Sequence, residues 1–185
     1  VLLQGELIKH GICLRGGIAL GDAHFDSQTV FGPGFVRAYE LESGFANFPR
    51  IVIDPEVLND LMTDKRLRAQ HHGVVDEVEA IRKLVRKDAD GIFFVDYLHA
   101  FLTELDEPEF QPDVLRSHKR LILSGLGNSH GLSTVPAKYL WLANYHNGLV
   151  RRLSKKWYRH YGLTLADLEI SAKEMPINFE WPSNQ

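Results

Sequence analysis

The chain has 185 residues, of which 44% are hydrophobic and 24% charged, with a formal net charge of −3 at pH 7. This composition suits a soluble globular protein with a buried core, and the acidic balance argues against a general nucleic-acid binder. No apolar run approaches the roughly 20 residues of a membrane span, and the first residues lack the features of a signal peptide. With Cys13 as the only cysteine, we expect a cytoplasmic protein without a nucleic-acid or membrane partner.

The chain is predicted to begin with a helix that is followed by two short strands. Residues 2–10 have a helical pattern, and Gly11 is placed to end this helix in a left-handed conformation. Residues 12–20 are an apolar run that reads as a strand. Residues 23–30 return as a second strand around a turn at Asp26.

A helix, a strand and a second helix follow. Pro33 suits the first turn of a helix, and apolar residues recur at helical spacing from Phe35 to Phe45. Residues 50–53 are rich in β-branched side chains and predict a buried strand. Asp54 is placed to cap the helix after it. The first third of the chain therefore predicts a β-α-β unit.

The rest of the chain is predicted to be a hairpin and then helices. Residues 84–87 and 92–97 flank an Asp-Gly step at Gly91, which is a hairpin turn signal. From Gln111 onward the pattern is helical. Apolar residues between 135 and 153 recur at alternating spacings of four and three, which indicates an amphipathic helix.

The most specific signal is a set of short motifs in a fixed order. They are Arg15–Gly21 (RGGIALG), Val30–Gly32 (VFG), Ala38–Glu42 (AYELE) and Arg50–Ile53 (RIVI). In this order they resemble the second half of the catalytic domain of class III nucleotidyl cyclases. More narrowly, they are similar to the divergent bacterial cyclases of Pycsar antiphage systems, which make cyclic UMP or cyclic CMP. Residues 90–98 and 138–147 are similar to the same group, so the resemblance covers about residues 1–150.

The resemblance implies an α+β fold. Residues 1–105 would be the C-terminal part of a ferredoxin-like nucleotidyl cyclase domain, with helices on an antiparallel-rich sheet. Residues 106–185 would be a helical extension and tail. The implied reaction converts a nucleoside triphosphate, UTP or CTP, into a 3′,5′-cyclic monophosphate and pyrophosphate in bacterial antiphage defence. The implied assembly is a homodimer with sites at the interface.

The resemblance also implies two metal ions, Mg²⁺ or Mn²⁺, held by Asp residues on strands that precede the segment where this chain begins. We therefore assign no metal ligand within the chain. Five Asp residues of the chain stand in a predicted turn or in the later predicted hairpin and do not match the metal motif, so solvated turn residues explain them better: Asp22, Asp26, Asp88, Asp90 and Asp96.

The substrate-binding positions implied by the resemblance begin at the hairpin. Thr29 stands three residues before Gly32, where adenylate cyclases have Asp, so it argues against adenine and agrees with a pyrimidine. Phe31 and Gly32 form the turn into a helix whose free N–H groups favour a phosphate. The glycines Gly16, Gly17 and Gly32 have two interpretations, close approach of a ligand or tight packing.

On the helix, Val36 and Glu40 occupy the substrate-binding positions where the family has Asn and Arg. Val36 has no hydrogen-bonding group, and Glu40 would repel a triphosphate. Arg37 is the candidate catalytic cation in their place, with a surface ion pair as its alternative role. Arg15 is a candidate phosphate contact, or alternatively a buried arginine paired with a carboxylate.

These substitutions keep a second function open, a catalytically inactive cyclase-like domain that binds nucleotide or a partner protein. A third hypothesis is a purely structural α/β domain.

Other polar clusters have simpler explanations. His146 lies on the apolar helix stripe and is predicted to be a core histidine, and the basic run of residues 151–156 is predicted to be a solvated helix face. His71 and His72 lack the partners of a zinc site.

Overall fold

The computed structural model describes residues 1–64, 66, 73–104, 108–128 and 135–175 of a mixed α+β protein. The α-helices and strands are α1 (Leu2–Lys9), β1 (Gly16–Ile18), β2 (His24–Phe25), β3 (Val30–Phe31), α2 (Pro33–Phe45), β4 (Ile51–Ile53), α3 (Pro55–Thr63), α4 (Val74–Leu84), β5 (Val85–Lys87), β6 (Phe93–Val95), α5 (Tyr97–Glu104), α6 (Gln111–Gly127), α7 (Val135–Val150), α8 (Lys155–Tyr161) and α9 (Leu165–Leu168). Short 3₁₀ helices cover Pro108–Phe110 and Ala172–Glu174.

The chain divides into two compact units. One contains Val1 and Cys13–Ala100, which we call the sheet unit, and the other contains Leu2–Ile12 and Phe101–Gln185, the helical unit. Helix α1, which the sequence-based division places in the first domain, therefore groups with the C-terminal helices. Three sequence-based predictions concern residues outside the described ranges: the domain boundary after residue 105, the histidines His71 and His72, and the tail from residue 176.

A four-stranded mixed sheet with strand order β1-β4-β6-β5 organises the sheet unit. Strands β1 and β4 are parallel, with Gly17 opposite Val52, and α2 makes the crossover that a parallel pair requires. The other two strand pairs are antiparallel, and β2 and β3 form a separate hairpin. The predicted β-α-β unit and the later hairpin are both confirmed.

The core of this unit lies between α2 and the sheet. Leu41, Ala46 and Val52 form a buried cluster against which Ala19 and Ile92 pack. At Gly17 a Cβ atom would lie 2.3 Å from the carbonyl oxygen of Ala38 on α2. The glycine therefore permits the close contact of β1 with this helix.

A buried arginine joins the start of β4 to the turn of the β5–β6 hairpin. Arg50 is fully buried, forms ion pairs with Asp88 and Asp90, and lies 5.3 Å from the centroid of the Phe48 ring. Asp88 and Asp90 do stand in a turn, as predicted, but their carboxylates bind Arg50. The prediction is wrong for Asp96, which is only 7% exposed.

Helices α6 and α7 form the centre of the helical unit, and α1 and α9 both pack against α6. The predicted amphipathic helix begins at Val135 but ends at Val150 and does not reach Leu153. His146 is fully buried, which confirms the predicted core histidine. Within the described residues, no helix combines the length and the apolarity that a membrane span needs.

Buried polar side chains of α6 and α7 bind the chain after α9. The Nε2 atom of His146 donates to the carbonyl of Leu168 at 2.9 Å, so its Nδ1 atom accepts from the Nδ1–H of His118 at 3.1 Å. The Asn147 amide bonds both the N–H and the carbonyl of Ile170. These hydrogen bonds fix residues 168–170 against the two helices.

Candidate functional site

The hairpin β2–β3 and the first turn of α2 carry most of the sequence-predicted site. Thr29, Phe31 and Gly32 lie on the hairpin and its exit, and Val36, Arg37 and Glu40 lie on α2. Arg15 precedes β1, which packs against the same helix. The predicted residues therefore fall on adjacent elements of one unit.

Glycines let the hairpin and α2 approach each other. Gly32 has φ of +131°, and a Cβ atom there would lie 2.5 Å from the carbonyl oxygen of Asp22. A Cβ atom on Gly34 would lie 2.6 Å from the carbonyl oxygen of Gly21. These contacts support the tight-packing interpretation for Gly32.

The first turn of α2 has fewer N–H groups for a phosphate than its sequence indicates. Pro33 has no N–H, and the Gly34 N–H donates to the carbonyl of Asp22 at 3.0 Å. A phosphate at this turn would therefore bind N–H groups that follow Gly34, or it would displace the hydrogen bond between the Gly34 N–H and the Asp22 carbonyl.

Asp26 organises the hairpin turn that carries Thr29. Its carboxylate accepts from the amides of Gln28 and Thr29 at 2.8 Å each, and lies 3.3 Å from Nε2 of His24. These bonds, the Gln28 amide first, lower the pKa of Asp26. Thr29 is exposed. The turn thus presents Thr29 to solvent in a fixed backbone position.

Arg37 forms an ion pair, which was its alternative role, but its nearest partner is the buried Asp54, which the sequence did not indicate. Its Nε lies 2.5 Å from Oδ2 of Asp54, and its Nη1 lies 3.6 Å from Oε2 of Glu40. Asp54 is buried and also caps α3 by accepting from the Glu56 amide at 3.1 Å, which confirms the predicted cap. The Arg37 hydrogen bond holds the pKa of Asp54 below its usual value.

The only sequence signal for Asp54 is its place before Pro55, which indicates a helix cap but no distant partner. The side chain of Arg37 is still 42% exposed. The guanidinium is therefore paired and oriented by Asp54 while part of it faces solvent.

Arg15 is also paired. It forms an ion pair with Glu42 on α2, and the two side chains are 43% and 27% exposed. This supports pairing with a carboxylate among the two roles that the sequence left open, but Arg15 is exposed, so the prediction of a buried arginine is wrong. An ion pair at this exposure contributes little to stability, so a ligand phosphate could replace Glu42.

Six large apolar side chains on the hairpin and the first half of α2 are exposed, and we call them the hairpin–helix surface: Phe25, Val30, Phe31, Phe35, Val36 and Tyr39. The sequence pattern predicts an apolar face on α2, but of its members Phe35 and Phe45 are nearly half exposed and only Leu41 is buried. Phe25 and Val30 are paired on one face of the hairpin, and Phe31 is paired with His24 on the other. Exposed apolar side chains in this number can mark a protein-interaction surface. Such side chains can bind a second protein surface.

The described residues do not fit a metal centre. Among them, no three His, Cys, Asp or Glu side chains are grouped so that they could hold an ion. Asp22 and Asp26, the acidic residues nearest the candidate site in sequence, are exposed turn residues, as predicted.

The chain matches no protein-family model, no curated protein and no solved structure. The candidate site therefore rests on its residues and their geometry.

Proposed function

We propose that the sheet unit is the substrate-binding part of a cytoplasmic nucleotidyl cyclase of the class III type. It would convert UTP or CTP into a 3′,5′-cyclic monophosphate and pyrophosphate, as an antiphage signal in bacteria. The finer fold in this proposal is a ferredoxin-like cyclase domain followed by a helical extension.

The order of elements carries the proposal. The RGGI motif lies on and before β1, the VFG motif joins the hairpin to α2, the AYELE motif lies within α2, and the RIVI motif forms β4 parallel to β1. Strand, hairpin, helix and Ile-rich strand are the elements that the resemblance implies in this order. Because the motifs coincide with the elements, the resemblance has structural support beyond isolated residues.

In the proposed reaction, the 3′-hydroxyl oxygen attacks the α-phosphorus and loses its proton, while pyrophosphate leaves with the electron pair of the broken P–O bond. Thr29 would meet the edge of the base with its hydroxyl. Arg37, oriented by Asp54, would bind the charge that develops on the phosphates. The family's metal ions would neutralise further charge, but the described residues do not fit them, so we assign them no step.

The hairpin–helix surface supports a homodimer. Its six exposed apolar side chains include Phe31 and Val36, which are also predicted substrate-binding residues on either side of Gly32. A second copy on this surface would therefore also cover the predicted substrate turn. Exclusion of water by the second copy would strengthen the electrostatic contribution of Arg37.

The experiment is turnover by the full-length product of the gene. The protein is incubated separately with ATP, GTP, CTP and UTP in the presence of Mn²⁺, and cyclic monophosphates are identified by mass spectrometry. We expect product from UTP or CTP, and we expect Thr29→Asp to change the base preference more than the folding stability. Absence of product from all four nucleotides would contradict the proposal.

Two observations favour a second candidate, a cyclase-like domain without activity that binds nucleotide or a partner protein. Val36 and Glu40 cannot replace the Asn and Arg of active enzymes, and Arg37 is already bound to Asp54. Equilibrium dialysis with labelled UTP separates the two candidates. Saturable binding without turnover supports the second one, whereas turnover excludes it.

A further inference from the structure

A cavity of about 490 Å³ lies within the helical unit, between α1, α6 and α7. All of the described residues that line it belong to the helical unit, and none of them is among the candidate site residues above. Small-molecule sites in proteins typically have volumes of roughly 300–1,000 Å³, and this cavity is within that range.

The polar walls of the cavity carry donors and positive charge. They are formed by Lys9, Ser117, Arg120, Ser124, Asn128 and Tyr139, and no Asp or Glu is among the described residues that line it. Side chains of this kind donate hydrogen bonds, and two of them carry a full positive charge. In a chain with a net charge of −3, a cavity lined in this way favours an anion.

Arg120 is the cation best placed to bind a ligand. Its Nη2 donates to Oγ of Ser117 at 3.0 Å, which holds the guanidinium beside a hydroxyl, and no carboxylate of the described residues forms an ion pair with it. Lys9, in contrast, already lies 2.8 Å from Oε1 of Glu6. A planar guanidinium next to a hydroxyl matches the donor geometry that phosphate groups require.

One face of α6 and the ring of Tyr139 form two sides of the cavity. Ser117, Arg120, Ser124 and Asn128 follow one another at spacings of three and four, so they share one face of α6. At Gly125 a Cβ atom would lie 2.1 Å from the Tyr139 ring, so the glycine lets this ring pack directly on α6. The aromatic wall gives the organic part of a ligand a surface on which to stack.

We propose that this cavity binds a small phosphomonoester. Arg120, with the hydroxyls of Ser117 and Ser124, binds the phosphate, and the ring of Tyr139 contacts the organic group. The inference does not depend on the proposed cyclase activity, because it uses only residues of the helical unit.

Phenyl phosphate is the probe, since it has a phosphate and an aromatic ring but no nucleotide character that the candidate cyclase site would bind. Binding is measured by isothermal titration calorimetry on the full chain, with phenol and inorganic phosphate as comparison ligands. We expect phenyl phosphate to bind more tightly than either, because phenol lacks the charge and inorganic phosphate lacks the ring.

The decisive comparison is between two arginines of α6. Arg120→Ala should weaken phenyl phosphate binding at least about tenfold, which is typical of losing a charge-assisted contact. Arg116→Ala is the matched control, because Arg116 lies about one turn earlier, pairs with Asp113 and does not line the cavity. It should leave the dissociation constant unchanged within about twofold.

Ser124→Leu provides a second test that leaves every cation in place. Ser124 is exposed, so the larger side chain should fill the cavity without disturbing the core, and it should abolish binding. Unchanged circular dichroism and thermal unfolding of each variant would show that the fold is retained.

Three outcomes would overturn the inference: no binding of phenyl phosphate to the unaltered chain at about 10 mM, equal losses in the two arginine variants, or phenol binding as tightly as phenyl phosphate. The last outcome would indicate an apolar site.

Discussion

In the sheet unit, the hairpin and helix α2 leave six large apolar side chains exposed, whereas every large apolar side chain of α7 in the helical unit is buried or half-buried. The buried polar groups differ as well. The sheet unit buries a charged guanidinium, Arg50, with carboxylate partners, and the helical unit buries neutral imidazole and amide groups bonded to backbone.

The two units therefore offer different features for binding. In the helical unit the feature is the cavity between α1, α6 and α7, although this unit also exposes apolar side chains such as Leu2, Leu3 and Phe110. In the sheet unit it is the hairpin–helix surface, which we expect a second protein surface to cover.

Arg50→Ala should have the largest effect, because it removes the buried cation on which the sheet unit depends. Asp88 and Asp90 would lose the guanidinium that they bind, and a cavity would remain where the buried side chain was. We expect the free energy of unfolding in urea to fall by about 3–5 kcal/mol.

Arg66→Ala is the control for this change, since the Arg66 side chain is 88% exposed and pairs with Asp64. It should cost less than about 0.5 kcal/mol. If Arg50→Ala cost no more than Arg66→Ala, the sheet unit would not depend on its buried ion pair.

Acidification should destabilise the helical unit through its buried histidines. Burial lowers the pKa of His146 to about 4 and that of His118 well below its usual value. Lys119 is the charged neighbour that lowers the pKa of His146 further, whereas the Leu168 carbonyl opposes the shift. The folded state therefore holds neutral imidazoles, while the unfolded chain takes up protons near pH 6.5.

This contribution to the free energy of unfolding is complete above about pH 6.5, and it is lost as the pH falls towards the pKa of the histidines in the folded state. For His146 alone it amounts to about 3 kcal/mol. Urea unfolding at pH 7 and pH 4.5 measures it. His146→Gln should flatten the pH dependence, and His160→Gln, at an exposed position, should not. Equal stability of the unaltered chain at both pH values would contradict this assignment.

Arg37→Ala should lower the kcat of the proposed cyclase about 100-fold, the usual effect of removing a group that stabilises charge in the transition state. Asp54→Asn is the companion variant, because Asn also caps helices but removes the ion pair between Arg37 and Asp54. It should lower kcat less than Arg37→Ala does. Equal kcat in Arg37→Ala and the unaltered enzyme would remove Arg37 from the reaction.

The smallest effect on stability is expected on the hairpin–helix surface. Phe31→Ser with Tyr39→Ser replaces side chains that are 57% and 63% exposed, so the fold should be retained. If the surface binds a second copy, light scattering should show a dimer for the unaltered protein and a monomer for the variant. A monomer in both cases would contradict the homodimer.

Local sequence signals predicted much of this fold. Pro33 and Asp54 each stand at the helix start that their chemistry favours, and the Asp-Gly step at Gly91 marks the hairpin. Helix α4 is not among the predicted elements, although Val78, Ile81 and Leu84 recur at a spacing of three within it.

Long-range pairing could not be predicted from the sequence. Arg50 and Asp88 are 38 positions apart, and Arg37 and Asp54 are 17 apart. Sequence periodicity indicates only which residues share a face of one helix or strand. It does not indicate which residues of different elements become neighbours when the backbone folds. The same holds for α1, whose grouping with α6 depends on contacts across more than 100 residues of chain.

The most direct test of the central claim is a competition assay. The full-length gene product is given ATP, GTP, CTP and UTP together at equal concentration with Mn²⁺, and all cyclic monophosphates are quantified in the same sample. We expect cyclic UMP or cyclic CMP to be the main product. A product pool without cyclic nucleotide, or one dominated by cyclic AMP, would contradict it.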